Sequence, residues 1–246
     1  MIAIISPAMN MKLPKETGLD VTRPVFWEDA QRIGNALKQL QPWEFEEWMH
    51  VNSKLAAQAF MDARDFSIQK PGSPAALTYT GLVYQYLRPW EFTGEELRYA
   101  QEHLRILSGL YGVLRPLDGI QPYRLEMACR LPIEGKRLYA YWGRRLYESL
   151  YERGEPVINL ASEEYAKTIR RYLRPEDFFL DIRFLTWKNG KHKTITAWAK
   201  MARGAMAGSI IRNQWKRPQQ LKQFEWEGFA FEEALSDESR YTFVRT

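Results

Sequence analysis

Cysteine occurs once in the 246-residue chain, at Cys129. An intramolecular disulfide is therefore impossible, a thiolate metal cluster cannot be assembled within one chain, and chemistry through paired thiols is excluded. Histidine is nearly as scarce. His50, His103 and His192 lie far apart, and none has another histidine three or four residues away to start a zinc or iron site. A partly exposed helical His103 and a hairpin His192 are expected instead, with no metal and no cofactor. No apolar run approaches the ~20 residues that span a bilayer. The opening Met1-Ile2-Ala3-Ile4-Ile5 has neither a basic leader region nor a cleavage-site pattern. A cytoplasmic protein without a membrane anchor is the expectation. Also missing are a P-loop, a dinucleotide fingerprint, a Gly-x-Ser-x-Gly elbow and a His-Glu-x-x-His helix.

What is present belongs to an ordinary globular chain: 45% hydrophobic and 26% charged residues place it far from disordered or fibrous classes. A chain of this length can bury roughly 70–75% of its unfolded surface. Neither a linker-like stretch nor an internal repeat divides it, so one compact domain over residues 1–246 is expected.

Ile2-Ala3-Ile4-Ile5 reads as a buried strand stopped by Ser6-Pro7, since proline cannot donate to a ladder. From Phe26 to Phe66 the apolar residues recur at helical spacing, interrupted at Gln41-Pro42, which predicts two or three helices. Leu82 to Leu87 predicts another, ended by Arg88-Pro89. Thr93-Gly94-Glu95-Glu96 is a capping-box pattern, expected to start a helix through Leu97, Leu104 and Leu107. Val157 to Leu160 reads as a second buried strand leading into a helix begun by Ser162, Glu163 and Glu164. Asp181–Trp187 and Lys193–Trp198 flank Asn189-Gly190, whose positive-φ preference predicts a type I′ hairpin. A helix rich in small residues, about Ala199 to Asn213, follows. Strands alternating with helices give an α/β fold, a mixed sheet with surrounding helices.

The net charge of +5 is unevenly placed. Ile182 to Phe224 contains no Asp or Glu but ten basic residues, Arg183, Lys188, Lys191, Lys193, Lys200, Arg203, Arg212, Lys216, Arg217 and Lys222. The remainder carries 25 basic and 30 acidic residues. Such segregation makes a directed field suited to a polyanion. Phe184, Trp187, Trp198 and Trp215 in the same segment could stack on bases or pack in the core. Two other outcomes stay open: the acidic stretch Glu225 to Glu238 could fold over these cations and neutralise them, or the acid-free run could have no function. Lys200 and Arg203, three residues apart, share a helix face, and Gly204, Ala205, Ala207 and Gly208 would let a backbone or ligand approach closely.

Two further patterns carry chemistry. Gly109-Leu110-Tyr111-Gly112 brackets a tight turn whose N–H groups could hold a phosphate, similar to a helix-hairpin-helix element but with two residues instead of one between the glycines; taken alone, Gly109 reads better as a helix C-cap. Arg115-Pro116 follows at once and would keep a second helix short. Separately, Ser6, Asn159, Ser162, Glu163 and Lys167 stand at or just beyond strand ends, where open α/β sheets gather ligands. They could serve an enzyme acting on a nucleobase, nucleotide or related small molecule, or merely cap a helix and end a strand. That enzyme would need a closed pocket joining Ser6, Asn159 and Glu163.

The run Leu104-Arg105-Ile106-Leu107-Ser108-Gly109-Leu110-Tyr111-Gly112-Val113-Leu114-Arg115-Pro116-Leu117-Asp118, continuing to Gln121-Pro122-Tyr123-Arg124-Leu125-Glu126-Met127, resembles the signature of the bacterial YaaA peroxide-stress family. Ile5-Ser6-Pro7-Ala8, Tyr141-Trp142-Gly143, Ile158-Asn159-Leu160-Ala161-Ser162, Lys188-Asn189-Gly190-Lys191 and Lys200 with Ala202-Arg203-Gly204 extend the likeness over essentially the whole chain. The resemblance implies a fold peculiar to the family with a basic cleft and a helix-hairpin-helix motif. It also implies binding to double-stranded or branched DNA and a role in oxidative-stress protection and DNA repair. Gly109, Leu110, Tyr111, Gly112, Arg115, Arg124, Lys188, Lys191, Lys193, Lys200, Arg203 and Arg212 are the expected DNA-binding residues. Met9 and Met201 stand where that family usually has lysine, and Lys12 could compensate for the first.

Overall fold

The structure, a computed structural model, describes residues 1–14, 17–70 and 72–246. In chain order its strands are β1 Ile2–Ile5, β2 Asn10–Met11, β3 Ser73–Pro74, β4 Tyr79–Thr80, β5 Leu104–Ser108, β6 Gly112–Leu114, β7 Gly119–Ile120, β8 Val157–Asn159, β9 Phe179–Lys188, β10 Lys191–Lys193, β11 Phe229–Phe231 and β12 Arg240–Arg245. The helices are α1 Trp27–Lys38, α2 Pro42–Met49, α3 Ser53–Asp65, α4 Ala75–Thr78, α5 Leu82–Leu87, α6 Gly94–His103, α7 Leu138–Trp142, α8 Arg145–Tyr151, α9 Glu163–Arg170 and α10 Thr196–Arg212.

One eight-stranded mixed sheet organises the molecule in the order β11-β12-β9-β8-β1-β5-β6, with β10 paired to β9. Its middle, β12, β9, β8, β1 and β5, is parallel, and β6, β10 and β11 add antiparallel edges. Parallel strands need crossovers and cover on both faces, which is why Ile2 to Ile5 are all buried instead of alternating. Helices supply the crossovers, and the core runs unbroken from Ile4 and Phe45 to Trp142, Ile210 and Phe243. Two small ribbons, β2 with β4 and β3 with β7, lie beside it.

Local expectations hold where local chemistry decides. The Thr93 hydroxyl accepts from Glu96 N–H at 3.2 Å and Glu96 accepts from Thr93 N–H at 2.7 Å, closing the capping box. Asn189 and Gly190 take φ values of 52° and 71° at the hairpin turn. The hairpin's return strand is shorter than expected, however. Pairing stops at Lys193 and α10 begins at Thr196, because Trp198 turns inward against Trp226 with Arg245 stacked over it, instead of lying along β9.

A larger departure is the helix expected to run through Leu104 and Leu107. It ends at His103, and Leu104–Ser108 becomes β5, paired with β1 on one side and β6 on the other. Leu104, Ile106 and Leu107 are fully buried there, so tertiary packing overrides their helical propensity. Gly109-Leu110-Tyr111 is therefore the turn of a β-hairpin, and no helix-hairpin-helix forms at this sequence.

The small residues of α10 admit another backbone, that of α5. A Cβ at Gly204 would collide with the Val83 carbonyl oxygen, and one at Gly208 would lie 3.1 Å from the Leu87 oxygen. The contact brings α10 down on the end of β1. Gly204→Ala is expected to cost about 1–3 kcal/mol by overpacking, read as a lowered urea midpoint; an unchanged midpoint would show that the two helices can separate freely.

Candidate functional site

The carboxyl ends of the parallel strands meet at one edge of the sheet, and the register sets its shape. Asn159 at the end of β8 pairs with Asp181. Beyond that point β9 runs on past the end of β8 to Lys188, a further ~23 Å at about 3.3 Å per residue. Thr186 is flanked by Arg245 of β12 on one side and Lys193 of β10 on the other. The short strand β10 thus takes the place in the sheet that β8 vacates, and the hairpin rises above the β8 end. Lys188, Lys191 and Lys193 are exposed on it, next to the half-exposed Trp187, whose ring meets His192 at 4.6 Å. Phe184 and Trp215, by contrast, are core residues.

Past the ends of β1 and β8 lies a cavity of about 360 Å³. Ser6, the residue after β1, forms its floor: its hydroxyl accepts from Ser162 N–H at 2.8 Å and lies 3.2 Å from the Ser162 hydroxyl, while Tyr84 donates to the Ser6 carbonyl at 3.0 Å. Lys200 and Arg203 enter from the first turns of α10, Glu164 and Tyr165 from α9, and Glu126 from the segment after β7. Arg203 is largely buried, which lowers its guanidinium's affinity for its proton. Burial pushes the Glu164 carboxyl above its ordinary 4.5, opposed by the Ala128 N–H it accepts at 2.9 Å and reinforced by the charge of Glu126. The buried Tyr165 hydroxyl is raised well above 10, again chiefly by burial.

Met9 also borders two smaller hollows of about 240 and 270 Å³, both lined by Arg124, and Glu126 is shared with the first of them. Among the described residues, no carboxylate lies within 4.0 Å of Arg124, Lys188, Lys191, Lys193, Lys200 or Arg203. The acidic stretch after Phe224 thus forms no ion pair with them. Its Glu232 instead accepts from Ala234 N–H and its Asp237 from Ser239.

Other expected residues lie elsewhere. Gly109, Leu110, Tyr111 and Gly112 are buried, with the Gly109 carbonyl accepting from Trp142 Nε1 at 3.0 Å and Tyr111 N–H donating to Ser108 Oγ at 3.0 Å. That turn cannot face a phosphate. Arg115 is held by the fully buried Asp118 through two guanidinium contacts, at 2.9 and 3.1 Å. Arg212, at the far end of α10, donates to the Leu87 carbonyl and sits 3.7 Å from Glu91, with its guanidinium over Phe92. The enzyme set also divides. Ser6 and Ser162 line the cavity, but Asn159 bonds Asp181 and Ala161 N–H, Glu163 pairs with Arg170, and the exposed Lys167 lies against Tyr139. Among the described residues, the cavity at Ser6 is lined by neither Asn159 nor Glu163. Ser162 occupies the α9 N-cap position without capping through its side chain. Met9 does line the cavity, and Lys12 does not.

Sequence reasoning passed over Tyr84, Glu126, Glu164 and Tyr165 as site residues. Glu126 stood inside the family-like run around Tyr123, but nothing local places it beside residues from β1 and α10.

These features define an α/β protein with a cavity lined by polar and charged side chains at the carboxyl ends of its parallel strands, where open sheets of this type gather ligands. The family profile described as Peroxide stress protein YaaA matches residues 1–235, and the chain belongs to that family. It is 40% identical over 242 residues to a UPF0246 protein of Lactiplantibacillus plantarum, covering 98% of each chain. It is 39% identical over 258 residues to one from Saccharophagus degradans (100% and 99% covered), and 37% over 246 residues to one from Clostridioides difficile (100% of both). Membership supports a role in oxidative stress. No helix among the described residues is long and apolar enough to cross a membrane.

Glu164 yields a pH test. Its folded proton affinity exceeds the unfolded one, so it favours the folded state below 4.5 and loses that contribution as pH rises through the window above 4.5. Glu164→Gln keeps an acceptor for Ala128 N–H and removes the titration. Urea midpoints of variant and wild type should agree at about pH 4 and separate in the variant's favour at about pH 7; the same gap at both would exclude burial of this carboxyl as the cause.

Proposed function

We propose that this protein binds duplex or branched DNA through the carboxyl edge of its sheet, in DNA protection or repair during peroxide stress. The observation that carries the reading is that exposed Lys188, Lys191 and Lys193 on the hairpin, Lys200 and Arg203 in the cavity after β1, and Arg124 in the hollows next to it have no carboxylate within 4.0 Å among the described residues. Cations paired within a protein have little left for a polyanion, whereas unpaired ones attract phosphates and release condensed counterions. The half-exposed Trp187 among the hairpin lysines adds a ring on which a base can stack. The reading omits the Gly109–Gly112 turn, Arg115 and Arg212, which are occupied within the fold.

With roughly five phosphates contacted, log affinity should fall with log salt at a slope of about −4 to −5. Replacing Lys188, Lys191 and Lys193 together by alanine should make that slope shallower by roughly 2–3. Fluorescence anisotropy of labelled duplex and four-way-junction DNA over a salt series measures both. Absent or salt-independent binding would refute the proposal.

A further inference from the structure

We infer that the cavity framed by Ser6, Glu164, Tyr165 and Arg203 reads a single guanine-type base. The inference deepens the nucleic-acid reading, on which it rests for delivery of the base but not for the pocket itself. Tyr165 is only 4% exposed, and its hydroxyl, which faces the Met127 N–H, makes no hydrogen bond of good geometry among the described residues; Arg203 Nε likewise has no partner there. Leaving a buried donor or acceptor poorly paired is costly, so both groups point to something that completes them. Arg203 lines this cavity together with Glu126 and Glu164, yet stands more than 4.0 Å from both carboxylates.

A ligand in the space between must therefore offer acceptors to a guanidinium and donors to carboxylates. Guanine does this with O6 and N7 on one side and N1–H and N2–H₂ on the other. Adenine puts a donor where O6 stands. Inorganic phosphate offers chiefly acceptors and sets its charge against Glu126 and Glu164. At about 360 Å³ the cavity is near the lower limit for small-molecule sites, room for one nucleotide, and Val83 and Leu160 supply apolar wall for the faces of a ring. Lys200 at the rim can meet the attached phosphate. The base could come from a nucleotide extruded from a strand on the sheet edge or from a free nucleotide.

Calorimetric titration of the full chain with guanosine and adenosine monophosphates tests the pocket, since their phosphates are the same and only the base differs. The guanosine form should bind about tenfold more tightly. Tyr165→Phe, which removes only a hydroxyl facing the Met127 N–H, should weaken it about fivefold, and Arg203→Met should abolish the preference. Equal binding of the two, or none at millimolar concentration as for a cavity that holds only water, overturns the inference whatever DNA does. Duplexes carrying one bulged guanine or one bulged adenine then locate the source. A matching preference assigns the base to a strand, and its absence beside a clear nucleotide preference assigns it to a free nucleotide. Nucleotide discrimination without any duplex binding would remove the nucleic-acid reading and leave the pocket standing.

Discussion

The pairing of Asn159 with Asp181 is the constraint on which the rest of the functional edge depends. There β8 ends while β9 continues, and side chains lock the point of divergence: Asp181 accepts from Asn159 Nδ2 at 2.7 Å and from Arg170 at 2.8 Å. A slip of one residue would turn every β9 side chain to the opposite face of the sheet, burying Arg183 and expelling Phe184. The register thereby fixes how far the hairpin overhangs, and so where Lys188, Lys191 and Lys193 stand relative to the cavity.

The second determinant is the close approach of α10 to α5. Gly204 permits it, and its neighbour Arg203, about 100° round the helix, is carried to the residues that follow β1 and begin α9. The same approach sets Tyr84 of α5 on the Ser6 carbonyl. An opening helix turn, a strand end and a second helix thus converge without a shared sequence motif. The price in conformational terms is a largely buried guanidinium and a buried phenol that lack well-formed hydrogen bonds among the described residues, the kind of local inconsistency that folded proteins tolerate at functional sites.

Much of the fold was legible along the chain, because it was decided by neighbours in sequence. Thr93 and Glu96 announced a helix start, Asn189-Gly190 a hairpin, Ile2 to Ile5 a fully buried strand, and the acid-free stretch from Ile182 to Phe224 a concentration of positive charge. What misled was Leu104 to Leu107. Three apolar residues in four suit a helix as well as a buried strand, and only pairing with β1 and β6 chose between them. The two glycines that follow carried no information about exposure, so a turn sealed under Trp142 looked the same as a phosphate-binding nest.

By itself, then, the sequence determined the α/β class, the want of paired thiols, the hairpin and the unequal distribution of charge, all properties of composition or of contacts a few residues apart. Tertiary structure alone decided which cations are free and which are spent, separating Lys200 and Arg203 from Arg115 on Asp118 and Arg212 beside Glu91. It also decided that Ser6, Glu126, Glu164, Tyr165 and Arg203 share one cavity. Those residues lie up to nearly two hundred positions apart in the chain, and such distances close only when strand register and helix packing are set.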